Sequence, residues 1–366
     1  MPKLSKISPF LVGFAALLLA ALTMPVGKPG QFTASAPSLV VANQQINASY
    51  IAPLGVRRRY VDAPLTSFVH DGVRYWINSN SQQTALYRGG LDHPFQHLLW
   101  ARPTPQVISD PTRSGGRFWI TNLYQDPSGL LAFIHTEYGH MQGRTYKTGR
   151  GRVGLAWSAD GQHFAYLGHI LSPSGDPAEY NVQGVPYLIR GGYFYVYYKD
   201  QCERGNNAVA RAPLNEVIAA ARDGRLTPWR KYYHGDWASA GLGGACSAIR
   251  LADGIIHTDA AYSTYTHRYY LLTSRMNWRG GDTWIRLNES SDGVNWAPLG
   301  DIVRQPAAAV RTGYQYVSIV DVSGRDDAQV GRQFYVYSAK DLQTDVGAVY
   351  RWTIDLGSPP QRPPVG

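Results

Sequence analysis

The stretch PYLIR (Pro186–Arg190), Gly191-Gly192, YFYVYYK (Tyr193–Lys199) reads as an apolar run, a two-glycine turn and an aromatic run. Two strand-forming runs joined by a short glycine turn are the signature of a β-hairpin. The second run has four further likenesses: VRYWINS (Val73–Ser79), LLAFIHT (Leu130–Thr136), RYYLLTS (Arg268–Ser274) and QFYVYSA (Gln333–Ala339). In chain order the five runs start 57, 63, 75 and 65 residues apart, and each follows another strand-like run and a turn.

A second repeat accompanies the first. Ser158–Gly168 and Ser290–Gly300 both read S-x-D-G-x-x-(F/W)-A-x-L-G, and both follow an aromatic run. The recurrence marks Asp160 and Asp292 as turn residues, with the aromatic packing back onto the sheet. Repeats of this length, each with about four strands, predict an all-β, five-bladed β-propeller. A large β-sandwich is the alternative. The ring spans residues 55–356, followed by a tail, 357–366. The last blade shows only one clear strand after its aromatic run, Ala348–Asp355, so the N-terminal segment, 37–54, is expected to supply the closing strand through Ser38–Asn47. The best helical run, PLNEVIAAAR (Pro213–Arg222), reads as a short insertion between strands.

Composition agrees. Of 366 residues, 12% are aromatic and only 17% charged, with 38 glycines and 25 tyrosines. A disordered chain would be rich in charge and poor in aromatics, and a helical bundle would be rich in Ala, Glu, Lys and Leu. Residues 1–36 carry Lys3 and Lys6 ahead of an apolar run, Phe10–Thr23, and end in Ala34-Ser35-Ala36. This predicts an export signal, or an uncleaved anchor, and hence a secreted or periplasmic protein. With the signal cleaved, no membrane partner is expected. Removing the leader's three lysines lowers the net charge from +9 to +6. The basic residues are scattered, so no nucleic-acid partner is expected. Cys202 and Cys246 are the only cysteines; in an oxidising compartment they predict one disulfide, with two unpaired thiols as the alternative. A monomer is expected.

In such a ring the start of each first strand and the end of each second strand share one rim. Blade by blade, that rim collects Asp62; Arg113 and Trp119; His135, Glu137 and Tyr138; Glu179 and Gln183; His257 and Asp259; Arg275; and Gln315. Aromatic faces stack on sugar rings, while amides, carboxylates and guanidinium groups bond hydroxyls. Glycosidic cleavage needs two carboxyl groups. The expected chemistry is therefore that of a carbohydrate cleft, with Asp62, Glu137, Glu179 and Asp259 as catalytic candidates. Arg113, Trp119, His135, Tyr138, Gln183, His257, Arg275 and Gln315 are expected to bind substrate. His135, His140 and His257 lack an H-E-x-x-H spacing, so no metal and no cofactor is expected.

YFYVYYKD (193–200), the two S-x-D-G-x-x-(F/W) strands, HTDAAYSTYTHRYYLL (257–272) and the five-blade count together resemble the five-bladed β-propeller glycoside hydrolases. That broad group includes the family 43 arabinosidases and xylosidases and the family 32 invertases. The resemblance implies an Asp base on the first inner strand, which Asp62 matches. It implies a Glu acid on the third, for which Glu179 is nearest. The second position departs: the inner strand Phe118–Tyr124 has no acid at its start. Glu137 is then a second candidate acid and Asp259 a candidate modulator. A noncatalytic sugar-binding propeller and an interaction scaffold are the other readings.

Overall fold

The computed structural model describes residues 40–49, 61–80, 82–111, 116–142, 145–176, 182–251, 258–275, 281–308, 313–340 and 348–357. They form five sheets of the expected propeller. The first blade runs Thr66–His70, Val73–Ser79, Gln83–Arg88 and His97–Pro103 from inside outward. The second runs Arg117–Asp126, Gly129–Gln142, Thr145–Ser158 and Phe164–Leu171. The third runs Tyr187–Arg190, Tyr193–Cys202, Gly205–Pro213, Arg230–Tyr233 and Asp236–Ala240, with a helix, Leu214–Arg222, before its fourth strand. The fourth runs Ala260–Ser263, Arg268–Arg275, Gly281–Ser290 and Ala297–Ala308. The fifth runs Tyr314–Asp321, Gln333–Lys340 and Ala348–Asp355. Its outer strand is Val40–Ser49, antiparallel to Ala348–Asp355, so the chain's beginning completes the last blade.

The four-strand expectation is corrected in three blades, each of which has five. Ile108–Ser109 pairs in parallel outside the second blade, and Gln329–Val330 pairs in parallel with the innermost strand of the fourth. The hairpin strand Asp236–Ala240 extends the third. His135, Glu137 and Tyr138, expected where the second strand of the second blade ends, instead lie within a continuous strand that runs on to Gln142.

The aromatic runs show no polar alternation because both faces of each blade are covered. Phe194, Val196 and Tyr198 pack with Leu131, Phe133 and Leu155 of the second blade. Tyr195 and Tyr197, on the opposite face, pack with Tyr269 and Leu271 of the fourth. The same division repeats around the ring, giving five apolar clusters, one between each pair of neighbouring blades. Each fully buried large side chain contributes about 1.5–3 kcal/mol. The ring is thus held chiefly by blade-on-blade packing.

The S-x-D-G turns have matching geometry. The Ser158 and Ser290 hydroxyls accept from the Gly161 and Gly293 amides at 2.9 and 2.8 Å. Asp160 accepts from the amides of Gln162 and His163, and Asp292 from those of Val294 and Asn295. Gly161 and Gly293 adopt φ +70° and +76°, a region that favours glycine. Burial pushes the Asp292 carboxyl up, but its hydrogen bonds, led by that from the Asn295 amide, outweigh this and hold it at about 2.

The channel is laced by buried polar groups. Asn122, on the second inner strand, donates to the Val185 carbonyl at 2.9 Å and to Asp259 at 3.3 Å. Asp259 also accepts from the amides of Ala260 (2.9 Å) and Ile319 (2.8 Å). Asp326, in the loop after the fifth inner strand, accepts from the Ser67 amide (2.9 Å) and hydroxyl (2.8 Å) of the first. These three side chains tie all five blades together.

Candidate functional site at one end of the ring

Asp62 lies four residues ahead of the first inner strand and is half-buried. Trp119 enters from the second inner strand and donates its indole N–H to Asp62 Oδ2 at 3.0 Å. Tyr316 enters from the fifth and donates its hydroxyl to Asp62 Oδ1 at 2.8 Å. Both carboxylate oxygens therefore have a donor, each from a different blade, and the side chain is fixed in one orientation.

The Tyr316 contact depends on irregular backbone. The pairing of Tyr314–Asp321 with Gln333–Lys340 slips between Gln315 and Ser318, and Tyr316 has φ +55°. A non-glycine residue held in the left-handed region costs about 1–3 kcal/mol, and such residues cluster at functional sites.

Glu137 is reached through Trp119. Trp119 pairs across the sheet with His135, with ring centroids 5.4 Å apart. His135 Nε2 lies 3.3 Å from Glu137 Oε1, with the two side chains 3% and 17% exposed. A chain of contacts, Asp62–Trp119–His135–Glu137, thus links a carboxylate of the first blade to one of the second. Beside it, the Tyr138 hydroxyl and His169 Nε2 share a hydrogen bond at 2.7 Å. Burial, then the charges of Arg152 and Arg150, lower the His169 imidazole to about 4, so it is neutral near pH 7. Arg152 is fully buried and pairs with Asp176 at 2.5 Å; Arg150 shares that carboxylate at 3.4 Å.

The other expected site residues fall elsewhere. Asp259 is in the channel, its carboxylate bonded by Ala260, Ile319 and Asn122, where burial pushes its pKa well up. Gln315 is buried in the fifth inner strand. The Gln183 carbonyl accepts from the Lys199 amide at 2.7 Å. Arg275 is exposed, its guanidinium 5.0 Å from the Trp284 ring. Glu179, Arg113 and His257 lie outside the described residues, as do the leader, residues 1–36, and the side chain of His140. Cys202 and Cys246 are joined, with the sulfurs 1.96 Å apart. The sequence reading missed the function of Tyr316 as a donor to Asp62. Its only signal was a tyrosine at the start of an inner strand.

No family model matches the chain, and no curated protein does. Among solved structures it is similar to an α-L-arabinofuranosidase from Lactobacillus brevis, at 14% identity over 86% of this chain and 97% of that one, with a TM-score of 0.49. A GH43 endo-arabinanase from Bacillus licheniformis aligns at 11% identity over 79% and 92%, with a TM-score of 0.47. A family 117 glycoside hydrolase from the marine bacterium Zobellia galactanivorans aligns at 10% identity over 88% and 92%, with a TM-score of 0.46. The five blades of the present chain match the architecture implied by the resemblance in its sequence.

Proposed function

We propose that the chain is an exported glycoside hydrolase that cleaves a poly- or oligosaccharide where Asp62 and Glu137 are linked across two blades. The observation that carries this reading is Asp62 itself, a carboxylate oriented at both oxygens by Trp119 and Tyr316. An acceptor held this way suits the base or nucleophile of glycoside cleavage. Glu137, hydrogen-bonded to His135, is the proton donor in this reading. A noncatalytic sugar-binding propeller is the second reading. Asp259 favours it, because that carboxyl is engaged by channel amides rather than offered at the ring's end.

The test is turnover of aryl glycosides and of pectic, arabinan, xylan and fructan substrates. Asp62→Asn is expected to lose about 10²–10⁴-fold in kcat on every substrate that the wild type cleaves. Glu137→Gln is expected to lose as much on polysaccharide but to keep most activity on aryl glycosides, whose leaving groups need little protonation. Saturable sugar binding with no wild-type turnover on the panel would decide for the binding reading.

A further inference from the structure

A cleft of about 1000 Å³ opens between the outer parts of the third and fourth blades and shares no residue with Asp62, Trp119, His135, Glu137 or Tyr316. Arg204, Tyr232, His234, Arg250 and Trp296 are among the residues lining it. Its floor is the strap 246–251, which is stitched to both blades. Glu203 donates its amide to the Cys246 carbonyl at 3.1 Å, and Ile249 donates to Asn207 at 2.9 Å. On the other side, Arg250 donates to Val294 at 3.2 Å and Trp296 donates to Arg250 at 3.1 Å. The Cys202–Cys246 disulfide ties the strap to the end of the strand Tyr193–Cys202. Gly205 fits closely enough that an added Cβ would meet Ala248 at 2.9 Å. The walls are therefore preorganised.

Three features of these walls are unexplained by the fold. Arg204 and Arg250 are exposed, and neither forms an ion pair among the described residues. Arg204 and His234 hold φ +64° and +49°, strained values for non-glycine residues. The Trp296 indole N–H is buried and has no hydrogen-bond partner, although Trp296 lines the cleft. The carboxylate present, Glu203, is already engaged by His234 Nε2 at 2.7 Å and the Tyr233 hydroxyl at 3.1 Å.

We propose that this cleft is a second binding site that takes a uronate-bearing saccharide segment, its carboxylate held by Arg204 and Arg250. Guanidinium groups match carboxylates in geometry and charge. The volume exceeds what a lone inorganic anion needs, and the half-buried Tyr232 offers apolar surface to a sugar ring. The Asn295 amide, one of whose hydrogens goes to Asp292 at 2.6 Å, keeps its oxygen and second hydrogen for hydroxyls. The choice of a saccharide over another anion rests on the carbohydrate reading of the Asp62 site.

The experiment is calorimetric titration of the full chain with trigalacturonate, galactotriose and inorganic phosphate. Trigalacturonate is expected to bind wild type and Asp62→Asn equally, and to weaken about tenfold in each of Arg250→Gln and Arg204→Gly. The glycine variant keeps the left-handed backbone. Galactotriose is expected to bind at least about tenfold more weakly than the uronate. Absence of saturable uronate binding overturns the proposal, as does binding indifferent to both arginine substitutions. Phosphate binding as tightly as trigalacturonate overturns the saccharide assignment, and loss in Asp62→Asn alone moves the ligand to the other site. Turnover in the wild type is read separately, so the two readings can fail independently.

Discussion

Tyr316 condenses the case for the site into one residue. Its backbone is strained, and what the strain achieves is a hydroxyl 2.8 Å from Asp62. Tyr316→Phe keeps the ring and removes that donor. The expected result is a fall in kcat on the order of tenfold with little change in KM, beside a stability loss of about 1.5–3 kcal/mol, the worth of one hydrogen bond to a charged group. Steady-state kinetics beside a thermal melt check it; a variant that loses stability but no kcat would make Tyr316 structural only. Asp62 was legible in the sequence because a carboxylate just ahead of an inner strand must lie at one end of the ring. The donors were not. Tyr316 belongs to the blade-five entry Tyr314-Gln315-Tyr316, where a tyrosine reads as a rim aromatic that meets a sugar rather than as a donor to Asp62, and a positive φ at tyrosine leaves no mark on composition or period. Trp119 was legible as a residue of that end, but an indole can stack or donate, and only the fold shows it donating to Asp62.

The strand hairpin carries most of what the sequence disclosed. Val73–Ser79 and Arg268–Arg275 fall where aromatic runs mark them, and the helix Leu214–Arg222 coincides with the lone helical run. Local signals of this kind arise from residues that meet within one hairpin. The two-residue parallel strands Ile108–Ser109 and Gln329–Val330 were not legible, because their partners are distant in sequence and two residues establish no period. The S-x-D-G turn was legible because it recurs, and recurrence also makes it testable. Ser290→Ala removes the acceptor for the Gly293 amide and is expected to cost about 1 kcal/mol. Ser158→Ala is expected to cost the same, and the double variant the sum, because the turns belong to different blades with no shared partner. Urea unfolding of the three variants checks additivity. A double variant no worse than either single one would mean that the turns are not independent supports.

At the scale of the ring, five apolar clusters press neighbouring blades together while buried polar groups fix their register at the channel. The closing strand was foreseeable, at Ser38–Asn47 against the observed Val40–Ser49, because a blade short of a strand needs one from the other terminus. The channel lacing was not foreseeable: Asp259 reads in sequence as a rim carboxylate, and Asn122 and Asp326 look like any polar residues near strand ends. That lacing has a consequence for stability. Asp326 is half-buried as a residue, and its Oδ2 is held by the Ser67 amide and hydroxyl. Burial raises the carboxyl from 3.8 to about 6, although the Ser67 hydrogen bonds and Arg74 pull it down; Asp327 adds to the rise. Burial pushes Asp259 in the same direction. A carboxyl whose folded pKa is raised favours the folded state most while it is protonated in both states. Its contribution is therefore largest below about pH 4 and is lost as the pH climbs through 6, about 3 kcal/mol in all for Asp326. Asp326→Asn keeps an acceptor for Ser67 and cannot ionise. Urea midpoints at pH 4, 5, 6 and 7 should show the variant gaining on the wild type from pH 4 to 6 and the gain levelling off by pH 7. Parallel curves for the two proteins would mean that Asp326 titrates as an ordinary surface carboxylate, and that the channel is open to water at that point.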